Sequence, residues 1–297
     1  MSAPGETWQQ TVAFHVYRVA AWTGRTMPEH LGHRVYRRLG RLAHDLMPEA
    51  RRVVAVNQAQ VLGRPPSDPI VRASTKQAFE TYARYWFDTF HVATESDEAM
   101  LARFHTVDAH HFWGSLEGGA GVICALPHIG NWDAAGRWLV ATGQRLVSVA
   151  EQLEPPRLFD LFLEHRRSLG MDIIGTSDAR VGQQLAARLA ENRVVALVAD
   201  RDLSGRGVEV TMFGKARKLP AGPALLSITT GAPLLVCPVY QTPDGWVCVF
   251  GEPLQIEPSG DRRTDVVALT ELMARGFERA IAAAPSDWHM FQPGWPA

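Results

Sequence analysis

The chain of 297 residues contains no long apolar run. The best candidate, residues 11–22, is twelve residues long and includes His15 and Arg18. A membrane-spanning helix needs about 18 or more uninterrupted apolar residues. We therefore expect that this run is neither a spanning helix nor a signal peptide, and that the protein is soluble or peripheral.

Cysteine is also scarce. The three cysteines, Cys124, Cys237 and Cys248, show no C-x-x-C spacing, and one of them is left over in any pairing. All three lie in apolar, strand-like runs. This pattern predicts buried thiols in a protein of a reducing compartment.

Neither sign of charge is in excess. Lys and Arg total 30, Asp and Glu total 31, and the net charge is −1, which argues against a general nucleic-acid binder. The distribution is uneven, however, because residues 1–64 contain nine Arg, no Lys and four acidic residues. This asymmetry predicts one face that meets an anionic surface.

Several motifs that identify enzyme classes are absent. The chain has no G-x-S-x-G elbow, no G-x-x-x-x-G-K-[ST] loop and no G-x-G-x-x-G after a strand. His105, His110 and His111 cluster without nearby Cys or further acidic ligands at metal spacing. We therefore predict no metal site.

The pattern of apolar residues changes along the chain and predicts an α/β fold. Residues 1–95 look helical throughout, as an N-terminal, membrane-proximal extension. Residues 96–297 alternate predicted helices (109–117, 132–142, 156–169, 179–191, 220–230 and 262–284) with predicted strands (121–126, 145–150, 171–174, 193–199, 207–213, 233–240 and 246–251). The alternation favours a mixed, mostly parallel central sheet flanked by helices, in one continuous structural unit with the extension. Asp244-Gly245 predicts a hairpin, and so an antiparallel far edge of the sheet.

Two stripes in the N-terminal part each leave two interpretations open. One consists of apolar residues beside four arginines, at Leu31, Val35, Leu39, Leu42 and Leu46. It either lies on an anionic membrane or packs on the domain with its arginines solvated. The other is aromatic, at Phe79, Tyr82, Trp86, Phe87 and Phe90. That spacing is typical of a core, with a groove for an apolar ligand as the alternative.

Segment 126–133, with the sequence LPHIGNWD, joins a buried strand to a helix. His128 and Asp133 thus lie on a strand-to-helix turn, where side chains face a cleft. Histidine is suited to general-base work near neutral pH. The alternative is a capped turn with a surface histidine, since chance alone supplies roughly 0.6 His-x4-Asp pairs in a chain of this composition.

A second polar group, Asp200-Arg201-Asp202, follows the predicted strand 193–199. The carboxyl ends of strands are where α/β sheets place their ligand crevice. The group is either a loop ion-pair network or a source of the carboxylate that orients His128. A basic set nearby, at Arg206, Lys215, Arg217 and Lys218, suits a phosphate-bearing ligand, although a solvated loop explains it too.

These residues resemble a known family. Segment 126–133 is similar to the H-x4-D block of glycerolipid-type acyltransferases. It agrees best with the lipid A acyltransferase superfamily, and within it with actinobacterial members that act on phosphatidylinositol mannosides. Further matching blocks recur in order across roughly residues 50–297, at 149–151, 165–170, 192–195, 199–203, 207–210, 220–224, 230–235 and 284–295.

The resemblance implies acyl transfer from acyl-CoA to a mannose hydroxyl of a phosphatidylinositol mannoside, without a bound cofactor or metal. It implies a peripheral enzyme at the cytoplasmic face of the plasma membrane. It assigns the catalytic histidine to His128 and its partner carboxylate to Asp200, where the family has glutamate. Because aspartate is shorter, Asp202 is a secondary candidate. We expect Asp133 to hold the turn behind the N-cap Asn131.

The resemblance also indicates a donor site. The family arginine that contacts the donor falls on Arg166, whereas Thr229 stands where the family has an acidic residue. Together with residues near the predicted crevice, the expected substrate-binding set is Glu151, Arg166, Arg201, Arg206 and Thr229. The C-terminal apolar residues either line the groove, sit at the membrane interface or pack on the sheet; they are Trp288, Met290, Phe291 and Trp295.

Two other functions remain as alternatives. The first keeps the chemistry and changes the acceptor to a lysophospholipid or a lipid A-type sugar. The second is a membrane-bound acyl-binding protein without turnover. An intact histidine–carboxylate constellation speaks against the second alternative, and the run of matching blocks speaks against the first.

Overall fold

The structure, a computed structural model, describes residues 6–152, 154–176, 178 and 180–295. The ends of the two predicted parts, residues 1–5 and 296–297, lie outside the described residues. So does residue 179, the first of the predicted helix 179–191.

The N-terminal part consists of four helices: α1 (Trp8–Thr26), α2 (Glu29–Leu46), α3 (Pro48–Leu62) and α4 (Pro69–His91). The first three pack on α4. Glycines allow the close approach, since a Cβ at Gly40 would lie 2.4 Å from the carbonyl oxygen of Phe79. Helix α2 buries Gly32, Tyr36 and Gly40.

The predicted stripe of α2 does not pack on the domain. Leu31, Leu39, Leu42 and Leu46 are 44–69% exposed. The interpretation in which this stripe as a whole packs on the domain is therefore wrong. The small residues of α2 occupy the face toward α4, and this orientation turns the leucines outward.

The remaining helices follow the α/β pattern. They are α5 (Asp97–Arg103), α6 (Ala109–Glu117), α7 (Trp132–Ala141), α8 (Pro156–Ser168), α9 (Val181–Ala190), α10 (Gly222–Thr230) and α11 (Arg262–Ala283). The strands are β1 (Phe104–Val107), β2 (Val122–Leu126), β3 (Leu146–Ala150), β4 (Asp172–Gly175), β5 (Val194–Val198), β6 (Val208–Met212), β7 (Lys215–Leu219), β8 (Leu234–Val236), β9 (Val239–Thr242) and β10 (Gly245–Val249).

The central sheet has the order β4-β3-β5-β2-β8, and all its pairs are parallel. Every residue of β2 is buried, as expected for a strand covered on both faces. Ile123 and Ala125 pack with the core that includes α9, α10 and α11, while Cys124 and Leu126 pack with α6 and α7. The predicted α/β class is confirmed.

The antiparallel pairs lie outside the central sheet. The hairpin at Asp244-Gly245 forms between β9 and β10, as predicted. The expectation that it makes the far edge of the central sheet is wrong, because β10 pairs in parallel with β1 in a separate three-stranded sheet. The predicted strand 233–240 is two strands, interrupted at Cys237 and at Pro238, which has no N–H to donate.

Two strands, β1 and β7, were not predicted. Strand β7 pairs with β6 across a tight turn at Phe213-Gly214, where both residues have positive φ, 52° and 75°. This is the sign that a two-residue type I′ hairpin requires. Strand β7 begins with the sequence Lys-Ala-Arg-Lys, so its residues fall within the basic set and form no apolar run.

None of the helices within the described ranges combines the length and apolarity needed to cross a bilayer.

Candidate active site

The topology of the sheet brings His128 and Asp200 together. Strands β2 and β5 are parallel neighbours, with Leu126 in register with Val198. His128 and Asp200 each lie two residues beyond these partners, at the carboxyl edge of the sheet. This edge is where ligands bind in open α/β sheets.

The two side chains are hydrogen-bonded. His128 Nδ1 contacts Asp200 Oδ1, and the backbone N–H of His128 donates to Asp200 Oδ2 at 3.0 Å. Since a carboxylate accepts, Nδ1 carries the proton and Nε2 is the ring nitrogen left for a substrate. Asp200 is fully buried, whereas the His128 side chain is 21% exposed.

Asp200 stays ionised in this environment. Burial raises the pKa of its carboxyl, but the His128 imidazole, a bond from the Trp288 indole and the charge of Arg217 lower the pKa more, and it ends well below its usual range. The Trp288 Nε1–H donates to Oδ2 at 2.7 Å. Arg217 donates to the carbonyl oxygen of Asp200. The carboxylate thus keeps the charge that a protonated imidazole needs beside it.

Asp133 occupies a different network. Helix α7 begins behind Asn131, whose side chain accepts from the Ala134 N–H at 2.9 Å, so Asp133 lies in the first turn. Its buried carboxylate accepts from Arg166 Nε at 2.7 Å and from the Tyr85 hydroxyl at 3.0 Å. Burial raises the pKa of Asp133, but the charge and hydrogen bonds of Arg166 lower it by more, so that the pKa lies below its usual range. Asp133 therefore joins α7 to α8 and α4.

The other residues of the Asp200-Arg201-Asp202 group face different partners. Asp202 accepts from the Ser204 N–H at 2.9 Å and from the Gly207 N–H at 2.7 Å, so it closes its own loop. Arg201 forms an ion pair with Glu151 at 2.6 Å. The structure brings Asp200, and not Asp202, to the imidazole.

Two residues of the predicted substrate-binding set are not brought to this site. Arg206 lies beside Arg262 and Arg263 in a separate depression. Thr229 is exposed on α10 and donates to the Leu225 carbonyl at 2.8 Å. Glu151, Arg166 and Arg201 do reach the site, because they line the cavity described next.

A cavity of about 390 Å³ opens beside His128. Its partly exposed polar end includes Glu151, Arg201 and Gln292. Most of its wall is apolar and buried, with Leu126, Trp138, Leu139, Leu146, Met171, Ile173 and Phe250 among the lining residues. The cavity therefore extends from the carboxyl edge of the sheet along the face that α7 covers.

The aromatic stripe of α4 divides between the two predicted roles. Phe79, Phe87 and Phe90 are buried core residues. Tyr82 and Trp86 line the cavity, together with Met290 and Phe291 of the C-terminal segment. Trp288 is buried and packs with the core of the sheet, as one interpretation expected.

Sequence reasoning missed three partners of the acidic residues. Trp288 donates to Asp200, Arg217 donates to its carbonyl, and Tyr85 donates to Asp133. In the sequence, Trp288 stands out only as an apolar residue and Arg217 only as part of the basic set. The signal available was the matching block 284–295, whose polar and aromatic composition is unusual for a segment that only packs.

The arrangement can perform general-base chemistry. The imidazole is held through Nδ1, and its Nε2 has no hydrogen-bond partner among the described residues. The ring faces a largely apolar cavity, and a buried carboxylate stabilises the positive charge that the ring gains with a proton. The first turn of α7 adjoins the histidine with its backbone N–H groups and its positive dipole end.

Known proteins resemble the chain over nearly its whole length. The family described as bacterial lipid A biosynthesis acyltransferase matches residues 7–296. A phosphatidylinositol mannoside acyltransferase of Mycolicibacterium smegmatis is 38% identical over 280 residues, which cover 92% of this chain and 88% of that protein. A phosphatidylinositol mannoside acyltransferase of Mycobacterium tuberculosis is 40% identical over 249 residues, which cover 81% of this chain and 76% of that protein.

Proposed function

Because the chain belongs to the bacterial lipid A biosynthesis acyltransferase family, and is thus an acyltransferase, we propose that it moves a long acyl chain from acyl-CoA to a mannose hydroxyl of a phosphatidylinositol mannoside. The acceptor is inferred from the names of the two mycobacterial relatives. The observation that carries the chemistry is the His128–Asp200 pair at the edge of a long apolar cavity.

The wall of the cavity supports a long-chain donor. Leu146 and Ala150, the first and last residues of β3, both line it. Four residue steps of a strand span about 13 Å. Since an extended hydrocarbon chain advances about 1.25 Å per carbon, from bonds of about 1.5 Å at about 111°, roughly ten methylenes fit along this wall alone. A palmitoyl-like chain extends further, toward the polar end.

In the proposed reaction, His128 Nε2 removes the proton from the mannose hydroxyl as its oxygen attacks the thioester carbonyl carbon. The C–O bond forms, the carbonyl π electrons move to oxygen, and the tetrahedral intermediate collapses with cleavage of the C–S bond. The proton on His128 passes to the departing thiolate. General-base help of this kind contributes about 10²–10⁴-fold.

The oxyanion needs hydrogen-bond donors, and we assign this role to backbone N–H groups at the start of α7, the positive end of that helix. Asp133 and Arg166 support that turn through their buried ion pair. The thioester is already activated, so the proposed reaction uses coenzyme A as a co-substrate and no bound cofactor or metal.

The polar end of the cavity suits the ligands' charged groups. Arg201 is the cation there, and it is paired with Glu151, which is itself half-exposed. When the donor binds, one of its phosphates can replace the Glu151 carboxylate as the partner of Arg201, so that the guanidinium stays paired. We assign these two residues, with Arg166, to substrate binding.

Two helices favour attachment to the cytoplasmic face of the plasma membrane. Helix α1 exposes five apolar side chains, each 40–77% accessible: Trp8, Val12, Val16, Val19 and Trp22. At 3.6 residues per turn they share an arc of about 120°. Arg18 and Arg25 both lie beside one border of this arc, and α2 adds its exposed leucines and arginines. Apolar faces with basic borders bind anionic lipid surfaces.

The experiment that tests the proposed function supplies labelled palmitoyl-CoA with separate acceptors: a phosphatidylinositol mannoside, a lysophospholipid and a lipid A-type sugar. We expect label in the mannoside product. Label only in another acceptor would retain the chemistry and reject the acceptor. Tight retention of the acyl chain without any transfer would reject the enzyme and support an acyl-binding protein.

A further inference from the structure

The C-terminal segment Asp287–His289 runs antiparallel to the turn that carries His128. The Gly130 N–H donates to the Asp287 carbonyl at 3.0 Å, and the His289 N–H donates to the His128 carbonyl at 2.7 Å. Ile129 and Trp288 form the bridge between these two bonds. The turn therefore has a backbone partner that lies more than 150 residues away in the chain.

One side chain of this segment, that of Trp288, reaches the catalytic pair directly. Trp288 Nε1–H donates to Asp200 Oδ2 at 2.7 Å. The backbone N–H of His128 donates to the same oxygen at 3.0 Å. Two donors thus hold Oδ2, and Oδ1 is the oxygen left for Nδ1 of the imidazole.

His289 holds the other side of the turn. Its Nε2 lies 3.0 Å from the Gly130 carbonyl oxygen, which only accepts, so Nε2 carries the proton. Burial lowers the pKa of His289 to about 3, with the Gly130 bond and the charges of His128 and Asp200 as smaller influences. The ring is therefore neutral and keeps one tautomer. Its main-chain and side-chain bonds bracket Ile129.

The segment is itself fixed from behind by the N-terminal helices. Asn57 Nδ2 donates to the Met290 carbonyl at 2.9 Å, and Gln58 Nε2 donates to the Pro285 carbonyl at 2.8 Å. The Thr81 hydroxyl donates to the Ser286 carbonyl at 2.5 Å. Helices α3 and α4 thus hold the segment that in turn holds the pair.

From this geometry we infer that Trp288 and His289 are positioning residues of the acyl transfer. Trp288 fixes the rotation of the Asp200 carboxylate through its indole N–H, and His289 fixes the turn that aims the imidazole. Neither residue touches the reacting atoms in this role. The inference rests on the proposed function for its kinetic consequences, whereas the two hydrogen bonds can be tested without any substrate.

The kinetic experiment compares two equivalent substitutions. Trp288→Phe replaces an indole that is 1% exposed by a smaller phenyl ring and so removes its N–H. Trp246→Phe is the matched control, also 1% exposed, and its Nε1 has no hydrogen-bond partner among the described residues. We expect Trp288→Phe to lower kcat by about 10²-fold, the cost of misplacing a catalytic group by about 1 Å, with KM changed less than about two-fold. Trp246→Phe retains kcat.

The pH profile separates positioning from packing. The charged and polar groups that face Asp200 are His128, Trp288 and Arg217. Without the indole N–H, the Asp200 carboxylate accepts one hydrogen bond fewer. Its negative charge is then less stabilised and attracts a protonated imidazole more strongly. The acidic limb of the kcat/KM profile should then move to higher pH in Trp288→Phe and stay in place in Trp246→Phe. A fall in kcat with an unmoved profile, or equal effects of both substitutions, would overturn the inference for Trp288.

A second pair of variants serves if Trp288→Phe does not fold. His289→Gln keeps an N–H at the Nε2 position, and His289→Leu does not. We expect His289→Gln to recover at least about ten-fold of the kcat lost in His289→Leu. Equal kcat values for these two folded variants would reject the role of His289.

The substrate-free readout is the NMR signal of the proton between His128 Nδ1 and Asp200. We expect this signal to shift in Trp288→Phe and to remain unchanged in Trp246→Phe. If the signal shifts but the wild-type protein transfers no acyl group, the proposed function fails and the positioning contact stands. If acyl transfer proceeds but the signal is unmoved, the positioning inference fails alone.

Discussion

At the scale of single residues, the site depends on how a buried aspartate is satisfied. The two carboxylate oxygens of Asp200 accept three hydrogen bonds, and a fourth reaches its backbone carbonyl. A buried carboxylate is expensive unless it is paired and hydrogen-bonded. Those same bonds fix which oxygen meets His128, so the requirement for stability and the requirement for catalysis coincide at one side chain.

The choice between Asp200 and Asp202 gives a sharp prediction. Asp200→Asn keeps the size of the side chain but removes its charge, and an amide NH₂ cannot accept from Trp288 or His128. We expect acyl transfer to fall by about 10³–10⁴-fold, as in other histidine–carboxylate pairs that lose the carboxylate. Asp202→Asn is the control, because that side chain serves its own loop. A larger loss in Asp202→Asn would transfer the role to Asp202.

The buried carboxyl of Asp287 should make the stability of the protein depend on pH in an unusual direction. Burial raises the pKa of its carboxyl to about 6, against opposing effects of the Gln241 N–H and Arg84, whereas the unfolded value is about 3.9. Between these values the folded protein binds more protons than the unfolded chain. This carboxyl therefore contributes stability at low pH that is lost as the pH rises through about 6.

Asp287→Asn tests this linkage, since asparagine retains an oxygen that can accept from Gln241. We expect the free energy of unfolding of the variant to rise relative to that of the wild type by up to about 3 kcal/mol between pH 4 and pH 7. Urea unfolding at several pH values measures this difference. A difference that does not vary with pH would show that Asp287 is not perturbed.

At the scale of elements, the turn between β2 and α7 is set by one glycine. Gly130 has a φ of 62°, and a Cβ there would lie 1.8 Å from the Val239 carbonyl oxygen. Any larger residue therefore strains the backbone and displaces the turn that carries His128.

Gly130→Ala should lower the free energy of unfolding by more than an alanine in the left-handed region usually does. Gly143→Ala is the control, because Gly143 also has positive φ, 82°, but nothing lies within 4 Å of a Cβ there. We expect Gly143→Ala to destabilise by about 1 kcal/mol and Gly130→Ala by at least about 3 kcal/mol more, in chemical denaturation. Similar losses for the two variants would mean that the turn at Gly130 can relax.

The proposed attachment to the membrane rests on the exposed apolar faces of α1 and α2. We expect the protein to cosediment with vesicles that contain phosphatidylglycerol, and to bind less to phosphatidylcholine vesicles or at high salt. The double variant Trp8→Ser, Trp22→Ser should weaken binding at least about ten-fold, because both indoles lose their apolar contact. Leu225→Ser, at an exposed leucine of α10, is the control. Equal binding by all three proteins would reject α1 as the attachment surface.

The sequence predicted the elements whose pattern is local. Alternating apolar runs located β2, β3 and β5, and the Asp244-Gly245 pair located its hairpin. Strands β1 and β7 escaped because three residues of β1 and three of β7 are exposed, so neither forms an apolar run. Strand β1 also pairs with β10, which is distant in the chain, and periodicity cannot identify such a partner.

At the scale of the whole molecule, contacts distant in sequence complete the site. His128 and Asp200 were found as candidates because each follows a strand. Trp288, Tyr85 and Arg217 were not, since a hydrogen bond between residues 88 or 48 positions apart leaves no spacing to detect. The N-terminal helices also take part, as α4 supplies Tyr85 to Asp133 and α3 holds the C-terminal segment.

The most direct test of the account compares wild type and His128→Ala in transfer of labelled palmitate from palmitoyl-CoA to a phosphatidylinositol mannoside. The imidazole is partly exposed and packs edge-on to Trp132, so we expect the variant to remain folded by circular dichroism. We predict that the wild type acylates the mannoside and that His128→Ala is slower by about 10²–10⁴-fold. A folded His128→Ala protein with near-wild-type turnover would contradict the account.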